Sequence, residues 1–112
     1  MKQYQLGEFE EVVMLTVALL YDNAYGVSIK KEIETRLDRS VSVGALQTAL
    51  VRLEDKGYLK SREGEATEER AGRPKKYFQI TALGKRAMEH TKSTRDELWS
   101  AIPKVALKLV NG

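Results

Sequence analysis

Apolar positions recur along this chain in three rhythms. From Glu8 to Leu20 they are almost continuous after Val12 ("VVMLTVALL"), with Thr16 the one interruption. This predicts a first helix that is apolar on nearly every side, and such a helix must be buried or shared with a partner. Its acidic start, Glu8, Glu10 and Glu11, suits the positive end of a helix dipole. "YDNAYG", Tyr21 to Gly26, has the composition of a turn. The rhythm then changes to i, i+4, i+8 at Ile29, Ile33 and Leu37, which predicts a second helix over about Val27–Leu37 with Lys30, Lys31 and Glu34 outside. A third helix follows "DRSVS". Ser42 is placed to cap it, Leu46, Ala49, Leu50 and Leu53 form its inward stripe, and Gly57 ends it. Gly44, Ala45, Gln47, Thr48, Val51, Arg52 and Asp55 are left facing outward.

Two strand-like runs come next, "YLKSR" (Tyr58–Arg62) and "KKYFQI" (Lys75–Ile80). In the second, Phe78 and Ile80 share one face and Tyr77 and Gln79 the other, as a half-buried strand requires. The runs read as a hairpin with a long connection. Thr81 is placed to cap a last helix, about Ala82–Ile102, with Leu83, Ala87, Thr94, Leu98 and Ile102 near one stripe and Met88 and Trp99 beside it. Pro103 should end that helix, leaving a short helical tail over Lys104–Val110. Three helices followed by a hairpin is the order of a winged helix-turn-helix. The expected fold is therefore α+β, mostly α: a DNA-binding domain over residues 1–80, then a long C-terminal dimerisation helix over 81–112.

Composition narrows the function. With 112 residues the chain is one domain, and with no cysteine it has neither disulfides nor thiol chemistry, which fits a reducing cytoplasm. No apolar run approaches the roughly 20 residues of a membrane span, and no signal peptide is indicated. The net charge of +3 is too small to identify a partner, but its distribution is informative. Between Lys60 and Lys76 lie six basic and four acidic residues, sorted by position. Glu63, Glu65, Glu68 and Glu69 occupy the loop, whereas Arg73, Lys75 and Lys76 stand at its foot with Arg62 on the opposing strand. Cations at the base of a wing beside a recognition helix suit DNA phosphates, and the loop carboxylates stay in water or repel the duplex. A short basic run on a hairpin is, by itself, more often an edge that discourages sheet pairing. The preceding helix-turn-helix reverses that balance. Lys30, Lys31, Ser42, Gly44, Ala45, Gln47, Thr48, Arg52, Arg62, Arg73, Lys75 and Lys76 are thus the candidate DNA-binding residues.

"YGVSIKKEIETRL" (Tyr25–Leu37), "SVGALQTALVRLEDKGYLKSR" (Ser42–Arg62) and "GRPKKYFQITALGKRAM" (Gly72–Met88) together resemble the PadR family of bacterial transcriptional regulators, over about Phe9–Met88. The resemblance implies a cytoplasmic, dimeric DNA-binding protein, typically a repressor. Members usually dimerise through the C-terminal helical part with the first helix taking part. Three features depart from the family pattern. The recognition helix reads Ala45, Gln47 and Thr48 where Thr or Ser and then Tyr–Pro are common; the wing has "GRPKKYF" where arginine runs are more usual; and the C-terminal part is short. Gln47 can instead pair bidentately with adenine or reach a phosphate. The resemblance also implies an effector site, since some members sense flat aromatic or hydrophobic molecules at the dimer interface. Phe9, Met14, Met88 and Trp99 are the candidate lining, although core packing is the plainer role for them.

A last helix of about 30 Å spans a domain of this size and should project past its own core. Leu98, Trp99 and Ile102 then need a second surface, as do Phe9, Val12 and Met14 on the first helix. A homodimer supplies it and sets two recognition helices roughly 34 Å apart, matching a pseudo-palindromic site on double-stranded DNA. Enzymatic and metal chemistry are poorly served. His90 is the only histidine and has no nucleophile near it in sequence, the glutamates lack calcium-loop spacing, and the glycines follow no nucleotide motif. No cofactor is expected. The competing reading is a winged helix used for protein–protein contact, because the recognition helix has Arg52 as its sole basic residue and ends in Glu54 and Asp55.

Overall fold

The computed structural model describes residues 4–66 and 74–110, so the expectations for Glu68, Glu69 and Arg73 fall outside it. The order is that of a winged helix: α1 (Glu8–Leu20), α2 (Gly26–Leu37), α3 (Val43–Asp55), β1 (Leu59–Ala66), β2 (Pro74–Ile80), α4 (Ala82–Ala101) and α5 (Lys104–Lys108). A short 3-10 turn over Tyr21–Asn23 joins α1 to α2.

Local chemistry sets the boundaries. At the start of α1, Glu10 Oε1 accepts the Gly7 N–H at 3.0 Å. α2 begins at Gly26 because Ser28 Oγ accepts the Tyr25 N–H at 2.9 Å and donates to the Asn23 carbonyl at 2.6 Å, closing the first turn. It ends at Asp38, which takes a left-handed conformation with φ 49°, one that Asp tolerates better than most residues. Ser42 Oγ accepts the Ala45 N–H at 3.0 Å and so caps α3. Gly57, at φ 81°, turns the chain out of α3 at a position where a side chain would be strained.

The two strands pair antiparallel, with Leu59 opposite Ile80, Ser61 opposite Phe78, Arg62 opposite Tyr77 and Glu63 opposite Lys76. β1 runs four residues beyond the expected end at Arg62. Main-chain pairing carries it outward where the apolar alternation has stopped, and the register breaks between Glu63 and Ala66. Gly64 makes room for the Tyr77 ring there: a Cβ on it would sit 2.5 Å from Tyr77 Cε2, and the ring would have to shift.

α1 is less uniformly covered than its composition suggests. Val13, Met14 and Val17 are buried against Ile29, Ile33 and the inward stripe of α3, while Leu15 and Leu19 lie open. Thr81 caps α4 through the Gly84 N–H and donates to the Gly57 carbonyl at 2.6 Å. Gly84 and Ala87 are buried, so the core continues past residue 80 into the first turns of α4. From Lys92 to Ala101 every residue is exposed. The molecule measures 59 × 37 × 21 Å with a radius of gyration of 17.0 Å, against about 13 Å for a compact chain of this length.

Candidate nucleic-acid interface

Ser42, Gly44, Ala45, Gln47, Thr48 and Arg52 are all exposed on α3, opposite its buried stripe. Gln47 borders the start of α2, its Nε2 lying 3.6 Å from where a Cβ on Gly26 would be. The same turn is joined to the wing. Phe78 N–H donates to the Ala24 carbonyl at 2.8 Å, and Tyr25 forms a bridge with Tyr77. The helix pair and the hairpin therefore meet at residues 24–26, beside the exposed face of α3.

At that junction two cations and two rings alternate. Lys75 Nζ is 4.3 Å from the centroid of the Tyr25 ring. Tyr25 meets Tyr77 edge-on, with centroids 5.5 Å apart. Arg62 Cζ lies 4.7 Å above the Tyr77 ring. Ring faces attract cations and fix their position without neutralising them, so Lys75 and Arg62 keep their full charge for an anion. Sequence reasoning missed Tyr25 and Tyr77. The period-2 spacing of Lys75 and Tyr77 places them on one strand face and was the available signal; Tyr25 sits in a stretch recognisable only as a turn.

The other candidate cations are differently placed. Lys76 belongs to the opposite face of the ribbon and approaches Glu54 Oε1 at 3.6 Å, while Glu54 Oε2 also accepts the Ser61 hydroxyl at 2.6 Å. Lys30 is paired with Glu34 at 3.0 Å. The Val41 N–H and then Lys30 hold the Glu34 carboxyl below the usual glutamate range. Lys31 is exposed and has no ion pair among the described residues. Arg52 lines the groove between the start of α1 and α3, together with Glu8, Phe9, Glu10 and Asp55. Arg73 lies outside the described residues.

The expected dimer and effector residues do not form one cavity within the chain. Met14 must be removed from that group, because it is fully buried in the core and its Cε lies 2.9 Å from where a Cβ on Gly84 would be. Phe9 sits beneath Arg39, whose Cζ is 5.2 Å from the ring centroid. Val12 lines a groove between α1 and α2, and Met88 lines another between α1 and α4 with Leu15. Leu98 and Trp99 are 67% and 69% exposed on the projecting part of α4, and Ile102 is half-buried at its end. His90 is exposed and meets the Tyr4 ring at a tilt of 44°, with centroids 5.3 Å apart. No cluster of metal-ligating side chains occurs among the described residues.

An open α3 surface flanked by a two-stranded wing defines a winged helix-turn-helix protein. The profile of the transcriptional regulator PadR-like family matches residues 14–90, and the chain belongs to that family. Among solved structures it is similar to a PadR-like transcription factor from Bacteroides fragilis, at 27% identity over 82% of this chain and 84% of that one, with a TM-score of 0.69. It is also similar to a transcriptional regulator from Clostridium thermocellum (29% identity, 90% and 92% covered, TM-score 0.64). A third is a PadR family regulator from a hypervirulent Clostridium difficile (29% identity, 80% and 91% covered, TM-score 0.59). No curated protein matches the chain. The family consists of non-enzymatic DNA-binding regulators of transcription. No helix among the described residues is long and apolar enough to cross a membrane.

Proposed function

We propose that the chain acts in the cytoplasm as a homodimeric repressor of a pseudo-palindromic operator, released by a small aromatic or hydrophobic effector. Each copy seats α3 in the major groove, with Ser42, Gly44, Ala45, Gln47 and Thr48 toward the bases. Arg62, Arg73, Lys75 and Lys76 grip phosphates from the wing, while Lys30, Lys31 and Arg52 flank the site. Residues 1–80 form the DNA-binding part and 81–112 the dimerisation part.

The observation that carries this reading is the alternation of Lys75, Tyr25, Tyr77 and Arg62 beside the open face of α3. It holds two cations, neither in an ion pair among the described residues, next to the surface that would meet DNA. The exposed Leu98 and Trp99 of α4 and the open Leu15 and Leu19 of α1 support a second copy. A second copy laid over the Leu15–Met88 groove would roof a site for an apolar effector.

Duplex affinity measured against salt tests the reading. Each phosphate contact contributes about 0.9 to the slope of log K against log salt. The double variant Arg62→Ala, Lys75→Ala should therefore flatten the slope by about 1.8; an unchanged slope overturns the wing contacts. Sedimentation of the free protein should give a dimer, and a monomer overturns that part. Glu54 and Asp55 on α3 favour a second reading, contact with a basic protein surface. Absence of any duplex binding at low salt would select it.

A further inference from the structure

α3 presents one amide between methyl groups. Val43, Gln47 and Val51 fall at i, i+4 and i+8, one line along the helix, and all three are exposed, Val43 at 62% and Val51 at 55%. Gly44 and Thr48 stand beside that line, also exposed, with nothing within 4 Å of the space a Cβ on Gly44 would fill. Valine is a weaker helix former than most residues, and open valine surface contributes nothing to the isolated fold.

Polar chemistry on the same helix is directed elsewhere. Arg52, its only basic residue, lines the groove against Glu8 and Glu10. The commonest contact to guanine, a bidentate arginine or lysine on O6 and N7, thus has no donor on the stripe. Glu54, an acceptor suited to the cytosine amine, is held by Ser61 and Lys76. Asp55, next on the same spacing, lines the groove beside Arg52 and Lys56, and the Thr48 hydroxyl can serve as donor or acceptor to either kind of base; the groups left that carry base identity are the Gln47 amide, which fits N6 and N7 of adenine, and apolar groups, which fit the 5-methyl of thymine.

We propose that α3 reads an A·T-rich half-site chiefly through thymine methyl groups, with Gln47 on an adenine and Val43 and Val51 each against a thymine methyl to either side. Four residues advance about 6 Å along a helix, close to two base steps of about 3.4 Å, so the two methyls lie about two steps from the adenine. This inference rests on the DNA-binding reading above and names what that surface recognises.

The test begins with selection of random duplexes by the full chain. The tightest duplex is then remade with deoxyuridine in place of thymidine, one position at a time, which removes the methyl and keeps the base pair. The selected half-site should be A·T-rich, and uracil at two positions should weaken binding about fourfold each, the effect of one buried methyl. Val51→Ala should lose the response to uracil at one of those positions, and Val43→Ala at the other. Both side chains are exposed and alanine is the better helix former, so thermal melts of the variants should match or exceed the parent. G·C-rich selected half-sites, or uracil duplexes bound as tightly as thymine ones, overturn the inference. Salt-sensitive binding without any enriched sequence also overturns it but leaves the DNA-binding reading standing. Absence of duplex binding at low salt removes both.

Discussion

Arg95 Nη2 lies 2.5 Å from Glu11 Oε1 and ties the projecting half of α4 to the first turn of α1. Glu11 is only 7% exposed, whereas Arg95 stands largely in solvent. The last buried residue of α4 is Ala87, two turns earlier. Beyond it, apolar packing no longer holds the helix, and this charge pair helps to set its direction.

Arg95→Ala leaves a buried carboxylate without its partner. Such a loss costs about 1–3 kcal/mol. Lys92 and Asp96 form a comparable pair at 2.6 Å, but on the exposed side of α4, where an i,i+4 pair contributes only about 0.3–0.5 kcal/mol. Urea unfolding should therefore show a clear drop in midpoint for Arg95→Ala and almost none for Lys92→Ala. Equal midpoints would mean that Glu11 is hydrated and that α4 is held by something else.

Two glycines in helices should respond oppositely to alanine. A Cβ on Gly84 would fall on the Tyr58 carbonyl and within 2.9 Å of Met14 Cε, so α4 must move off the body; overpacking of this kind costs about 1–3 kcal/mol. A Cβ on Gly44 meets nothing within 4 Å, and alanine is favoured over glycine in a helix by up to about 1 kcal/mol. Thermal melting should fall for Gly84→Ala and hold or rise for Gly44→Ala. A stable Gly84→Ala protein would show that α4 docks more loosely than its buried start implies.

What could be read in advance follows from how far each signal reaches along the chain. The α2 periodicity at Ile29 and Ile33, the Ser42 and Thr81 caps and the Gly57 stop are local, and each stands where its spacing placed it. Met14 takes the core role that was the plainer of its two readings; sequence could not choose between them because apolar identity does not say which face of α1 turns inward, and Leu15 and Leu19 are equally apolar and lie open. The outer part of β1 has no apolar alternation to reveal it, since pairing there is between backbones. The Tyr25–Tyr77 contact joins residues 52 positions apart through an isolated bridge, and no local pattern encodes it. The exposed face of α3 was legible; the ring-held cations beside it were not.

Acid should weaken the fold partly through Glu10. Partial burial pushes its carboxyl up, but hydrogen bonds from the Gly7 N–H and Lys56 outweigh that and hold it below the ordinary 4.5. A depressed folded value means that the charged form is favoured by folding. The contribution is complete above about pH 4.5 and is lost as pH falls through the folded value. Glu8 is shifted the same way, chiefly by its hydrogen bond from Arg39. Unfolding free energy followed from pH 7 to pH 3 should fall less steeply in Glu10→Gln than in the parent, from a lower starting point. Parallel curves would show that neither the Gly7 N–H nor Lys56 holds the carboxylate in solution.

The rings of the wing junction should affect how firmly DNA is held without changing how many phosphates are met. Tyr25→Leu keeps an apolar side chain but removes the face on which Lys75 rests. A cation–ring contact at an exposed site is worth about 0.5–1 kcal/mol, or about two- to fivefold in affinity. Lys75 remains present and charged, so the salt slope should match the parent, whereas Lys75→Ala should flatten it. The loss should also be uniform across operator sequences, because phosphates carry no base identity. Tyr25→Phe keeps the ring and should bind within twofold of the parent. If Tyr25→Leu binds like the parent, the ring does not position the lysine. If it changes sequence preference instead, Tyr25 itself contacts bases, and the junction belongs to the reading surface rather than to its support.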